Sequence, residues 1–140
     1  MDRDLIEQKL ESLRKALRRV AEKCPATPET LKQDVDAQDI VSLNLTRAVQ
    51  FCVDIGAHLI SGLELPPPDT MGQTFDTLAE AGIIRNELAT RMKNAVGFRN
   101  LAVHNYDAIN WEIVHAIAKT RLTDFEEFAQ AVVSALNKGA

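Results

Sequence analysis

Apolar residues recur at three- and four-residue spacing along nearly the whole chain, and no stretch sustains an apolar/polar alternation of period two. The first pattern turns one face of an α-helix toward a core; the second would have marked strands. An all-α protein is therefore expected. The most constraining segment runs from about Asp36 to Gly62. It carries Ile40, Val41, Leu43, Leu45, Ala48, Val49, Phe51, Cys52, Ile55, Leu59 and Ile60. That set is too broad for a single stripe, which predicts a central helix buried on more than one side. Asn44, Asp54 and His58 are the polar residues that such a helix has to accommodate.

The other segments read as helices around it. From Asp2 to Lys23, Leu5, Ile6, Leu10, Leu13, Leu17 and Val20 form one stripe, and Arg14, Lys15, Arg18 and Arg19 lie on the other face. Cys24-Pro25 ends it, because the residue before proline avoids helical angles. TPETLKQD is a loop with room for a short turn. ELPPPD stops the central helix. A short helix follows from Met71 to Ala81, with Gly82 as its C-terminal cap. A longer one runs from Ile83 toward His104, weakened slightly at Gly97. NYDAIN is a break, and Asn110 is placed to cap a helix starting at Trp111. Thr123-Asp-Phe-Glu126 has the pattern of a capping box, which divides the last region into two helices. The expected architecture is an antiparallel bundle of four to five main helices, a single domain over residues 1–140.

Composition narrows the function classes. A chain of 140 residues, 46% hydrophobic and 26% charged, has the make-up of a soluble globular domain. No apolar run approaches the ~20 residues a membrane span requires. The opening MDRDLIEQKLESLRK is charged throughout, unlike a signal peptide, and a cytoplasmic location is expected. Cys24 and Cys52 belong to no CxxC or Cys/His cluster and read as small buried residues. The net charge of −4 does not advertise a nucleic-acid binder, but residues 85–121 hold six basic and three acidic side chains, a locally basic window.

That window contains the unusual stretch GFRNLAVHNYDAINW, residues 97–111, with the only Tyr and the only Trp in the chain. Arg99 and His104 are five apart, ~140° around an ideal helix. They do not point the same way unless the helix unwinds at its end or a second copy of the chain completes a groove. Chemically the pair suits metal-free phosphodiester cleavage. A guanidinium binds phosphate through two parallel hydrogen bonds and stabilises transition-state charge. An imidazole moves protons near neutral pH, and RNA brings its own 2′-OH nucleophile. The plainer alternative is a surface arginine and a histidine at a helix C-terminus, where the dipole favours its cation. Asp54 and His58, four apart, are a second candidate, which His104 or His115 would complete as a mixed N/O metal site; without an HExxH or a paired Glu-x-x-His motif, an ion-paired polar spot in a bundle is the favoured reading. Tyr106 is either turn packing or a modification target beside a reactive site. No Walker-type loop, GxGxxG or GxSxG is present.

Residues 99–106, ArgAsnLeuAlaValHisAsnTyr, fit the Arg-x4-His-x-Tyr signature of HEPN-domain ribonuclease toxins. The chain resembles the HepT branch, the toxins of HepT/MntA toxin–antitoxin systems. The charged first helix, LKQDVDAQDIVSLNLTRAVQFCVDIGAHLI, TFDTLAEAGII, MKNAVGFRNLAVHNY and LTDFEEF extend the likeness, in order, over nearly the whole chain. The resemblance implies a dimeric HEPN bundle whose two Arg-x4-His motifs face one cleft. It implies a metal-independent endoribonuclease that needs no cofactor. Arg99 would orient and stabilise the phosphate, His104 would transfer protons and Asn100 would support them. An MntA-like nucleotidyltransferase antitoxin would be the partner and would transfer AMP to Tyr106. Asp54 and Asn44 are expected to line the cleft only as guesses, since the motif does not carry them. HEPN domains also serve as non-catalytic partners of nucleotidyltransferases, which is the rival expectation.

Overall fold

The computed structural model describes residues 2–139 and, among them, contains seven α-helices, one 3-10 turn and no strand. Helix α1 spans Arg3–Lys23, capped by the Asp2 carboxylate, which accepts from the Leu5 amide at 3.0 Å. Its buried residues, Ile6, Leu10, Leu13, Ala16, Leu17 and Val20, follow the stripe read from sequence. TPETLKQD forms a short helix, α2 (Pro28–Gln33), with Thr27 as its cap and proline in its first turn, where the missing N–H costs nothing.

Helix α3 (Val35–Gly62) is the central helix. It buries 13 residues, among them Val41, Leu45, Val49, Cys52, Ile55, Leu59 and Ile60. The α2 connection returns the chain alongside α1, and the Lys9–Asp54 ion pair at the far end makes the two helices antiparallel. Helix α4 (Met71–Glu80) crosses α3 closely: a Cβ on Gly56 would stand 2.5 Å from the Thr74 Cγ2. Gly82 ends α4 as expected, with φ +77°. The Ile83 amide reaches the Leu78 carbonyl at 2.9 Å and the Gly82 amide that of Ala79 at 3.0 Å, the hydrogen bonds of a Schellman motif.

Helix α5 (Asn86–His104) begins three residues later than Ile83. The left-handed Gly82 and the extended Arg85 keep the intervening residues out of the helix, and Ile84 is buried against the core instead. Helix α6 (Trp111–Thr120) is capped by Asn110, whose Oδ1 accepts from the Glu112 and Ile113 amides at 3.0 and 3.3 Å. Helix α7 (Leu122–Asn137) is separate, as expected, but not because of a capping box. Arg121 alone separates the two helices, so Thr123 already lies inside the first turn of α7 and cannot take the extended cap conformation. One hydrophobic cluster draws residues from all seven helices, with Phe75 and Phe128 edge-to-face at 5.7 Å at its centre. No helix among the described residues is long and apolar enough to cross a membrane.

Candidate functional site

The last two turns of α5 are unlike the rest of the molecule. Leu88, Ala89, Met92 and Val96 anchor the helix, but no residue from Gly97 to His104 is fully buried. Leu101 and Val103 are 37% and 49% exposed. Arg99, Asn100 and His104 therefore sit on an end of the helix that the core does not cover. The helix remains regular through His104, and the Asn105 amide closes it on the Leu101 carbonyl at 2.8 Å. The unwinding that would have brought Arg99 and His104 to one side does not occur, and no hydrogen bond joins them among the described residues.

Arg99 is half-buried. One terminal nitrogen donates to Asn100 Oδ1 at 3.1 Å, while the Nε is buried without any hydrogen-bond partner. A guanidinium donor hidden from water and left unsatisfied is costly and calls for an explanation. Asn100, expected to support the pair, is in direct contact with Arg99 through this hydrogen bond.

Tyr106 occupies the 3-10 turn Tyr106–Ala108 that follows α5. Its hydroxyl donates to Asp39 Oδ1 at 2.8 Å and accepts from the Ser42 hydroxyl at 3.3 Å, and its ring meets Trp111 edge-on at 5.7 Å. Partial burial, together with the Asp39 carboxylate, raises its pKa above the ordinary phenol value, against the opposing hydrogen bond from Ser42. The phenol is thus neutral near pH 7, and 37% of the residue remains open to solvent. Around it lies a shallow pocket of about 260 Å³, lined by Asp39, Ser42, Leu43, Thr46, Ala102 and Val103. Asp39 and Ser42 were not singled out in the sequence. Their only sequence signal is that they lie three apart near the start of the central helix.

Other sequence candidates lie elsewhere. Asp54 is engaged by Lys9 at 3.5 Å and by the Gln50 side-chain amide at 2.8 Å. The His115 ring meets the Pro25 carbonyl at 2.9 Å. Among the described residues no three His, Cys, Asp or Glu side chains converge as a metal-ligand set. Asn44 is buried, but it faces α1, with its amide donating to the Ile40 carbonyl at 2.8 Å. Neither Asn44 nor Asp54 lines the Tyr106 pocket. The basic window is also not one patch. Arg85 pairs with Glu127 and Glu87, Arg91 with Asp124, and Lys93 with Asp76. Both cysteines are free and buried, and burial raises both thiol pKa values. A cavity of about 560 Å³, mostly apolar, lies among α3, α5, α6 and α7 and is not lined by Arg99, His104 or Tyr106.

The sequence model of the HepT-like family, described as "Ribonuclease HepT-like", matches residues 13–132. The mRNA nuclease HepT of Shewanella oneidensis is 33% identical over 129 residues, which cover 92% of this chain and 96% of that protein. A putative RNase of Archaeoglobus fulgidus is 29% identical over 119 residues, 85% of this chain and 89% of that one. The solved structure of a tri-AMPylated HEPN toxin of Shewanella oneidensis in complex with its MNT antitoxin superposes with a TM-score of 0.88 at 32% identity, covering 96% of this chain and 99% of that one. An all-helical fold with an Arg-x4-His-x-Tyr motif at an uncovered helix end, matched in sequence and structure over nearly its full length, places this chain in the HepT-like ribonuclease family.

Proposed function

We propose that this chain is the toxin of a toxin–antitoxin pair, a metal-independent endoribonuclease held in check by AMPylation of Tyr106. The observation that carries the reading is the end of α5, where a guanidinium with an unsatisfied buried donor, an exposed imidazole and an anchored tyrosine fall within one eight-residue stretch, 99–106. The names of its relatives, an mRNA nuclease and a tri-AMPylated toxin bound to an antitoxin, support it.

The chemistry follows from these groups. Arg99 holds the scissile phosphate and stabilises the charge that builds on its oxygens. The 2′-oxygen attacks the adjacent phosphorus, His104 removes its proton, and the bond from phosphorus to the 5′-oxygen breaks. The protonated imidazole then returns a proton to that leaving oxygen. Asn100 steadies the guanidinium through the 3.1 Å hydrogen bond.

Because Arg99 and His104 diverge by ~140° on an unbroken helix, the working cleft is completed by a second copy of the chain. The exposed Leu43 and Val103 beside Tyr106 supply apolar surface for that homodimer. The whole chain, residues 1–140, acts as one domain and works in the cytoplasm. A nucleotidyltransferase antitoxin, MntA-like, silences it. The Tyr106 oxygen attacks the α-phosphorus of ATP, pyrophosphate leaves, and Asp39, 2.8 Å away, is placed to take the phenol proton. The added phosphate sits where RNA phosphate must bind, and like charge repels it.

The test is RNA cleavage by the purified chain in EDTA, wild type against His104→Ala. Wild type is expected to cut and the folded variant not to. A wild-type chain that cuts nothing favours the non-catalytic HEPN partner instead. Activity abolished by EDTA favours a metal enzyme.

A further inference from the structure

A groove of about 350 Å³ runs between α1 and α3, lined by Ser12, Lys15 and Arg19 on one side and Asn44, Arg47 and Phe51 on the other. On each helix the lining residues repeat at three- and four-residue spacing, so each presents one continuous face. Lys15, Arg19 and Arg47 have no carboxylate partner among the described residues. Their neighbours on α1, Arg14 and Arg18, both pair with Glu11. In a chain with a net charge of −4, three uncompensated cations thus converge on one groove. Leu43 lines both this groove and the Tyr106 pocket, so the two lie side by side on α3. Cations that track a backbone, next to a half-buried aromatic ring on which a base can stack, are the elements of a single-strand binding surface.

We propose that the α1–α3 groove holds the phosphodiester backbone of single-stranded RNA, with Lys15, Arg19 and Arg47 as its phosphate contacts. It carries the strand to or from the Arg99/His104 site, and so rests on the ribonuclease reading. The residues of the groove take no part in bond cleavage.

The test measures binding apart from cleavage. A single-stranded 2′-O-methyl oligonucleotide, which lacks the attacking hydroxyl, is titrated by fluorescence anisotropy at several salt concentrations. The protein is the full chain carrying Tyr106→Phe, so that no adenylate on the tyrosine can occupy the groove. Three phosphate contacts on a single strand contribute about 2 to the slope of log affinity against log salt. The Lys15→Gln/Arg19→Gln/Arg47→Gln variant is expected to lose about that slope and at least ~10-fold in affinity at moderate salt. All three side chains are exposed, and circular dichroism checks that the fold is kept. A control, Arg3→Gln/Arg85→Gln/Lys93→Gln, makes the same change in net charge at cations that are already paired, and is expected to bind like the parent. Equal affinity and slope in the groove variant overturn the proposal, as does an equal loss in the control. A parent that binds the probe normally while the unsubstituted chain cuts no RNA would sink the ribonuclease reading and leave the groove standing.

Discussion

Replacing Arg99 with alanine separates a residue kept for function from one kept for structure. The buried Nε has no partner, and removing an unsatisfied buried donor recovers roughly 1–3 kcal/mol. Against this stand the hydrogen bond to Asn100, which is exposed and contributes about 0.5–1 kcal/mol, and about 1 kcal/mol of buried stem. Alanine adds a few tenths through helix propensity. The sum is close to neutral, between about −1 and +2 kcal/mol. For a chain of this length one kcal/mol moves the melting temperature by roughly 3–4 °C. Arg99→Ala is therefore expected to melt between about 4 °C below and 8 °C above wild type. Over the same substitution RNA cleavage is expected to fall about 100- to 1,000-fold, the typical effect of losing one transition-state donor. Arg99→Lys, which keeps the charge but not the fork of parallel donors, should fall between. Calorimetry and a fluorogenic RNA substrate read both quantities. A melting temperature lowered by more than about 8 °C would make Arg99 a structural residue. Cleavage within about threefold of wild type would remove it from the site.

Three further outcomes are expected. After co-expression with a nucleotidyltransferase antitoxin, intact mass should show AMP on wild type and none on Tyr106→Phe, and Asp39→Asn should slow the modification; Tyr106→Phe protein that still gains AMP refutes the acceptor assignment. Gly97→Ala should gain about 0.5–1 kcal/mol from helix propensity, because a Cβ there meets nothing within 4 Å. Gly56→Ala should lose about 1 kcal/mol or more despite the same propensity gain, because its Cβ meets the buried Thr74, so thermal melts of opposite sign are the check. Glu127 and Glu112 have pKa values held below 4.5 by Arg85 and Lys32. The stability from these pairs is present above that value and is lost as pH falls through the lower folded values. The acid limb of the melting profile should become shallower in Glu127→Gln.

Most of the secondary structure was legible in the chain because its signals are local. The stripe in α1, the breadth of α3, the Gly82 stop and the Asn110 cap each depend on residues within about one turn, and each is found where expected. The Thr123 box failed for a reason outside that range. Only Arg121 separates α6 from α7, and a local motif cannot form where the chain has no room for its cap.

The site divides along the same line. Sequence alone determined an all-α chain and the motif itself, an arginine, a histidine five residues on and a tyrosine two residues beyond it, on which the proposed phosphate-binding and proton-moving roles rest. Only the tertiary structure decided how these groups are held. Tyr106 is fixed by Asp39 and Ser42, 67 and 64 positions away, through the register in which α5 lies against α3. The packing of α5 against α4 and α7 ion-pairs Arg85, Arg91 and Lys93, so half of the cations in the basic window read from sequence are neutralised. The packing of α1 on α3 turns Asp54 toward Lys9 and leaves three cations unpaired in the groove between them. The physical reason is range: helix periodicity and capping act over three or four residues, whereas charge pairing, burial and an unsatisfied donor are set by which helix faces meet.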